Sequence, residues 1–556
     1  MRVKRNPPGI EKTDNDLNKA RTTRDFSSKP SGPESKLSQM KQSNMRCATS
    51  VGLLIQWAAL CGFGFVAWAQ PVQYPIARPS RTTPVASEGK YTVHPGKPKQ
   101  IIKGIGFEIQ SDSIGGGKAQ LPEATTSVPH DLTPSERQRF YSEMLKGFRY
   151  CRLAGGLYWR GLDAEQKNFQ GRWPEQMAEL RELFKASGVE GVSLEYWSPA
   201  PFWKANGKLE GRGVENRLRC FRADFENDPV YHGDQAQFLR DFAAACRRDL
   251  EYLRKQGIPI MFWGLQNEPH VDQTYSSCRY TPEQYALTFK AVAPQIRAFD
   301  PAISIIADAS WNLSFIAPVL KEPDGARWVD ALVMHHVGSD SKKVRPRSQM
   351  KLATDLPAKP LFQNEYEYLG GPTSPARCLN TVQHIMNWFQ LGEAPTWFWL
   401  HALKPVHNGE ASGFALGFWT PLVGSVNPKA SPVSPLPAPG HWTWNPYNWH
   451  AVGSFIRHLP WDCQAVAVDE TERDDDLRIF AFKRPKGKLT IVLSNRSGAA
   501  HTFNVATGLA KASFRGFRYT PDNAGADFRG VLIDVLRGPT ISPRLSDLTW
   551  EFWEEL

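Results

Sequence analysis

Between residues 101 and 400 the chain repeats one alternation, a short apolar run followed by a longer stretch with helical spacing. The apolar runs occupy 101–109, 148–153, 189–196, 258–265, 304–307, 331–335, 360–363 and 396–400, eight in all. Runs of this length between helices read as parallel strands buried on both faces. Thr133-Pro-Ser-Glu136 and Thr281-Pro-Glu-Gln284 both read as capping boxes with proline at the first helical position. Eight strand–helix units over roughly 250–300 residues predict a (β/α)8 barrel. A doubly wound sheet is the competing architecture, but no G-x-G-x-x-G follows a first strand to support it.

The texture changes after Pro421. A Pro-rich loop at 428–446 and a helical stretch at 448–458 lead into β-type sequence from residue 462. Runs at 477–482 and 489–493, joined by Pro485-Lys-Gly-Lys488, predict a β-hairpin, with weaker β segments at 501–505 and 528–535. The expected fold is therefore α/β, a barrel with an attached small all-β side domain. The expected boundaries are a leader at 1–69, a Pro-rich lead-in at 70–86, the barrel at 87–460 and a sandwich-like side domain at 461–556.

The leader has the grammar of an export signal. Met45-Arg46 precede a largely apolar stretch at 51–66, and Ala67-Trp-Ala69 supplies an A-x-A exit. The expectation is cleavage between Ala69 and Gln70 and a secreted or periplasmic protein, with no stable membrane insertion afterwards. An uncleaved N-terminal anchor is the alternative. The polar segment 1–44 is unusual ahead of such a signal, so Met45 is a candidate start. Leu60 before Cys61 argues against a lipoprotein site.

The leader also accounts for much of the charge. The formal net charge is +11, but residues 1–69 carry 11 Lys+Arg against 5 Asp+Glu, leaving +5 for the rest. No dense basic block remains, so nucleic acid is not an expected partner. Beyond the leader the six cysteines Cys151, Cys220, Cys246, Cys278, Cys378 and Cys463 are widely spread, and sequence assigns no pairing among them. The 19 tryptophans suit a large core first, and also a groove in which indole faces stack on sugar rings.

Catalytic groups of such a barrel sit where strands end. The fourth apolar run closes on Asn267-Glu268 and the seventh on Asn364-Glu365. The two glutamates are 97 residues apart, three β/α units, so their strands face each other across the barrel mouth. Paired carboxylates across one bond are the equipment of glycoside hydrolysis. The second strand delivers Arg152, the sixth His335-His336 and the eighth Trp397 and Trp399. Neighbouring residues on a strand point to opposite faces, so His335-His336 is no metal pair. His335 is read as a hydrogen-bonding group beside a carboxylate. No metal and no organic cofactor are expected.

These residues, taken with others, resemble glycoside hydrolase family 30, retaining (β/α)8 enzymes that include glucosylceramidase, β-1,6-glucanases and glucuronoxylanases. Ile102-Lys-Gly-Ile-Gly-Phe107 is similar to its opening strand, and Trp197-Ser-Pro-Ala-Pro-Phe-Trp-Lys-Ala-Asn-Gly207 to its segment after strand 3. Phe262 to Pro269, Asp330 to His335, Leu361 to Glu365 and Trp449 to Arg457 resemble later family segments in the right order. The resemblance implies Glu268 as general acid/base, Glu365 as nucleophile and Asn267 as a partner of the sugar 2-hydroxyl. It also implies a side β-domain that takes a strand from before the barrel, here Tyr91 to His94. Arg152, His335, Trp197, Trp203 and Trp399 complete the expected substrate-binding set.

Three places depart from the family pattern: His335-His336-Val337 in place of His-x-Tyr, Trp399-Leu400 in place of Trp-Asn, and a first-strand exit carrying Glu108 and Asp112. Glu367 faces the same way as Glu365, and the spacing from Leu361-Phe362 favours Glu365. The expected function is a secreted retaining glycoside hydrolase acting on a β-linked oligo- or polysaccharide or a glycolipid. The alternatives are a catalytically silent carbohydrate-binding barrel and an inverting hydrolase using the same pair.

Overall fold

A computed structural model of the chain describes residues 86–109, 128–156, 161–171, 175–308, 310–311, 313–350, 359–368, 373–406, 415–422 and 435–556. The leader, the Pro-rich lead-in up to residue 85 and Asp112 lie outside the described residues. Eight parallel strands close into a barrel: Gly104–Ile109, Tyr150–Gly155, Gly191–Tyr196, Ile260–Gly264, Ser304–Asp308, Ala331–His335, Leu361–Tyr366 and Thr396–Trp399. They follow one another around the barrel in chain order, and the eighth pairs with the first, Thr396 opposite Gly104.

The first apolar run divides at Lys103. Ile101 and Ile102 end a separate strand, Ser87–Ile102, and the barrel strand begins at Gly104. The earlier strand crosses to the C-terminal sheet. It pairs antiparallel with Cys463–Glu470, Tyr91 opposite Glu470, and parallel with His501–Ala506, Ser87 opposite His501. The all-β side domain is thus a ten-stranded sheet with an N-terminal strand in its interior. Its hairpin, Leu477–Lys483 with Leu489–Asn495, pairs in unbroken register. Val93, Val466, Ile479, Ile491, Phe503 and Phe514 are among the residues packed in its own core cluster.

The helices cover the barrel with one apolar face each. Gln235–Lys255 buries Phe238, Leu239, Phe242, Cys246, Leu250 and Leu253, spaced as one helical stripe. Pro282–Phe299 starts from a complete capping box, with Thr281 and Gln284 satisfying each other's backbone N–H. The box expected at Thr133 is half formed. Thr133 accepts from the Glu136 N–H, but the Glu136 carboxylate pairs with Arg139 at 2.6 Å instead of turning back. A nearby guanidinium outcompetes a single backbone N–H.

Inside the barrel the lumen is filled in two layers. At the base, Tyr150, Phe262, Ile306, Val333, Phe362 and Phe398 form a closed apolar cluster. Phe262 meets Tyr150 and Phe362 edge-on, with centroids 4.8 and 5.3 Å apart. This plug leaves only the C-terminal mouth for chemistry, and the layer above it is polar. Among the described residues no helix is long and apolar enough to cross a membrane, and the six described cysteines are buried and free.

Candidate active site

The polar layer is built on Arg152, which projects into the lumen two residues beyond Tyr150 and has no exposed surface. Burying a guanidinium is unfavourable unless it is paired and hydrogen-bonded on all sides. Here Nη1 reaches Glu108 at 2.6 Å and Glu365 at 2.5 Å, Nε reaches Glu195 at 2.5 Å, and Nη2 donates to Asn267 Oδ1 at 2.7 Å. The ring of Trp197 lies 4.4 Å from the guanidinium carbon. Four other strand exits, those of the first, third, fourth and seventh barrel strands, are thereby tied to one cation.

Glu365 reaches this cation through a break in strand register. Phe362 and Asn364 both face the lumen, Phe362 into the plug and Asn364 donating to Glu195 at 2.8 Å. By simple alternation Glu365 would face outward. Between Gln363 and Glu365 the pairing with the sixth strand slips, Gln363 opposite Met334 but Glu365 opposite His335. A bulge of this kind re-aims one side chain, and here it turns Glu365 inward beside Asn364.

Glu268 stands four residues beyond the end of its strand, Ile260–Gly264. The strand stops at Gly264, where a Cβ would lie 2.8 Å from the Glu195 side chain, so the close approach requires glycine. Glu268 itself has φ 46°, a left-handed conformation that a glutamate adopts only when its surroundings fix it. Asp308, at the end of the fifth strand, does the fixing: its Oδ2 accepts the Glu268 backbone N–H at 2.9 Å. Its other oxygen accepts the N–H of Ser310, also left-handed at φ 48°, at 2.5 Å.

His335 lies between the two glutamates. Its Nδ1 is 3.0 Å from Glu268 Oε1 and 3.5 Å from Glu365 Oε2, and its Nε2 is 3.6 Å from Asp308. Burial pushes the imidazole pKa down, but Glu365, Asp308 and Glu268 outweigh it and raise it to about 10. His335 is therefore an imidazolium at neutral pH. Burial raises Asp308 to about 7, opposed by His335 and reinforced by Glu195. Acceptor atoms of Glu268, His335 and Glu365 all lie within 4.8 Å of one another, close enough to hold a metal ion. The ion pair of Glu365 with Arg152 and the charge on His335 make that trio a poor cation site.

Glu367 belongs to a different environment. It is fully buried and lies 2.5 Å from His401 Nδ1. Burial, against the pull of Lys404 and with Glu365 and Glu108 adding to it, holds its carboxyl well above the usual range. His401 is pushed well below its usual value by burial, with Lys404 adding to it.

Of the residues singled out from sequence, Glu268, Glu365, Asn267, Arg152, His335 and Trp197 converge. Trp203 does not join them: it packs edge-on against Phe238, and its indole N–H donates to the Lys167 carbonyl. Trp399 is buried against Tyr366 and Trp397 and donates to the His401 carbonyl. Both indoles are spent inside the protein. His336, the other half of the sixth-strand pair, is half-buried and lies 2.8 Å from His384, away from the carboxylates. Glu195 and Asp308 were missed, although each closes an apolar run just as Glu268 does.

Residues 464–521 match the model of the glycosyl hydrolase family 30 beta sandwich domain. The chain is similar in structure to the catalytic domain of a GH30 xylanase C from Talaromyces cellulolyticus, with TM-score 0.61 and 16% identity, over 84% of this chain and 100% of that one. A family 30 subfamily 8 xylanase from Clostridium acetobutylicum gives TM-score 0.55 and 16% identity over 84% and 99%. An endo-β1,6-glucanase gives TM-score 0.58 and 13% identity over 85% and 94%. The side domain thus carries the family's sandwich match over residues 464–521, and the likeness to those solved enzymes, at 13–16% identity, is one of fold.

Proposed function

We propose that this protein is an exported, retaining glycoside hydrolase that cleaves a β-linked polysaccharide by double displacement. Glu365 is the nucleophile and Glu268 the general acid/base. The observation that carries the reading is the convergence of the two carboxylates on one imidazole, with Glu268 Oε1 3.0 Å and Glu365 Oε2 3.5 Å from His335 Nδ1. Direct attack on an anomeric carbon needs a separation of about 5–5.5 Å, whereas admitting a water between carboxylate and sugar needs about 6.5–9.5 Å.

The chemistry follows from the partners of each group. A Glu365 oxygen attacks the anomeric carbon while Glu268 gives a proton to the glycosidic oxygen, which leaves as an alcohol. The proton is at hand on His335 Nδ1, 3.0 Å from Glu268. Arg152, 2.5 Å from Glu365, pairs with it and fixes its approach. In the second step Glu268 takes a proton from water, the water oxygen bonds the anomeric carbon, and Glu365 is released as carboxylate. Asn267, held by Arg152, presents its amide to the sugar 2-hydroxyl.

Several of the similar enzymes are described as xylanases and one as an endo-β1,6-glucanase, which supports a β-linked polysaccharide as substrate class. The signal-like leader supports export with cleavage before Gln70, which N-terminal sequencing of the secreted protein tests. The roles are tested by Glu268→Gln and Glu365→Gln on 4-nitrophenyl β-xyloside and β-glucoside. With so good a leaving group, Glu268→Gln forms the glycosyl-enzyme without acid help, and Glu365→Gln does not. Equal loss of that first step in both variants contradicts the assignment.

A further inference from the structure

Among the described residues Trp311 is the one tryptophan with more than half of its surface, 57%, exposed. It lies three residues beyond the end of the fifth barrel strand, Ser304–Asp308, on the C-terminal side of the barrel. An indole held open there presents a broad apolar face with a polar N–H edge.

The backbone under Trp311 is unusually well fixed. Ser310, immediately before it, is held in the left-handed region by Asp308 Oδ1, and the same carboxylate holds Glu268 by its other oxygen. The Ser310 carbonyl also accepts the His335 backbone N–H at 2.7 Å. One buried side chain thus sets the positions of the acid/base and of the exposed indole together. His270, two residues after Glu268, meets the indole edge-on at 4.9 Å and packs against Phe315 behind it. Its ring nitrogens are buried with no hydrogen-bond partner among the described residues, and burial, with His335 and Arg279 adding to it, lowers its pKa. A neutral ring braces the indole without placing charge beside it.

We infer that Trp311 is a sugar-stacking platform on the leaving-group side of the cleft, braced by His270 and set in register with Glu268 through Asp308. A pyranose ring offers an apolar C–H face and a rim of hydroxyls, and one exposed indole at a polar mouth matches that shape. The side follows from the proposed roles, on which this inference rests. The indole is tied to the turn of Glu268, the group that protonates the departing oxygen, and its strand is separated from that of Glu365 by the sixth strand. The ring it receives belongs to the part of the chain that leaves.

The test compares substrates with and without sugar on that side. Xylobiosyl and gentiobiosyl fluoride place only fluoride there, while xylotetraose and gentiotetraose place sugar rings there. In Trp311→Ala the ratio of kcat/KM for tetrasaccharide to that for the matching fluoride falls on the order of tenfold, the scale of one lost aromatic contact. Trp311→Phe retains part of it. A ratio within twofold of the parent in Trp311→Ala overturns the platform while leaving the catalytic roles standing. If the parent protein cleaves neither kind of substrate, the catalytic reading fails instead, and calorimetric titration with the same tetrasaccharides decides the platform. A dissociation constant raised on the order of tenfold by Trp311→Ala supports it. Equal affinity in the two proteins, or no binding by the parent, overturns it.

Discussion

Arg152 Nη1 and Glu365 Oε2 are 2.5 Å apart, and the guanidinium that makes this contact has no exposed surface at all. The same side chain binds Glu108, Glu195 and Asn267, so the proposed nucleophile, the proposed 2-hydroxyl partner and two supporting carboxylates share one cation. Buried carboxylates left without their counter-ion are strongly destabilising, by about 3–5 kcal/mol for one broken pair. Arg152→Met is therefore expected to lower stability by at least that much in denaturant titration. Arg152→Lys, which keeps a charge but not the fork, is expected to fold and to lose kcat more than KM, measured on an activated β-glycoside.

Asp308 holds Glu268 and Ser310 by one oxygen each. Asp308→Asn keeps one acceptor and turns an amide N–H against a backbone N–H. The expected cost is about 1–3 kcal/mol, the penalty for an unsatisfied buried group. Because Glu268 then leaves its left-handed conformation more easily, kcat falls on the order of tenfold while KM changes little. Steady-state kinetics on a good and a poor leaving group check this, with the larger loss on the poor one.

His335 and Asp308 give stability a defined pH dependence. Both pKa values are raised in the folded protein, to about 10 from 6.5 and to about 7 from 3.8. The folded state thus binds more protons than the unfolded chain within each interval, and stability falls as pH rises through it. The His335 contribution is fully present below pH 6.5 and is lost as pH rises to about 10. The difference in Tm between the parent and His335→Gln is expected to shrink from pH 6 to pH 10. A constant difference contradicts the imidazolium.

The strand Ser87–Ile102 lies between Cys463–Glu470 and His501–Ala506 inside the side-domain sheet, and Val93 is fully buried there. Val93→Asp places an unpaired charge in that core and is expected to cost about 3 kcal/mol or more. Loss of the side domain in limited proteolysis, followed by mass spectrometry, reads the effect.

What was legible in the sequence was whatever repeats or lies close along the chain. The eight apolar runs announced the barrel, and Asn267-Glu268 with Asn364-Glu365 announced its two carboxylates. Asp308 and Glu195 carry no neighbouring motif; each is a single acid at a strand end, and its importance lies in partners 40 and 43 residues away. The bulge that turns Glu365 inward is invisible to a period of two. Trp203 and Trp399 read as groove residues because a tryptophan looks the same in sequence whether its face meets a sugar or Phe238. Lys103 divided one apolar run between two sheets, a choice made by the partner strand, Cys463–Glu470, some 360 residues downstream.

The most direct measurement is the anomeric configuration of the first product. Proton NMR during early hydrolysis of a β-linked oligosaccharide, before mutarotation, is expected to show the β-anomer first, as double displacement through Glu365 requires. Appearance of the α-anomer first contradicts it, and with it the roles given to Glu268 and Glu365.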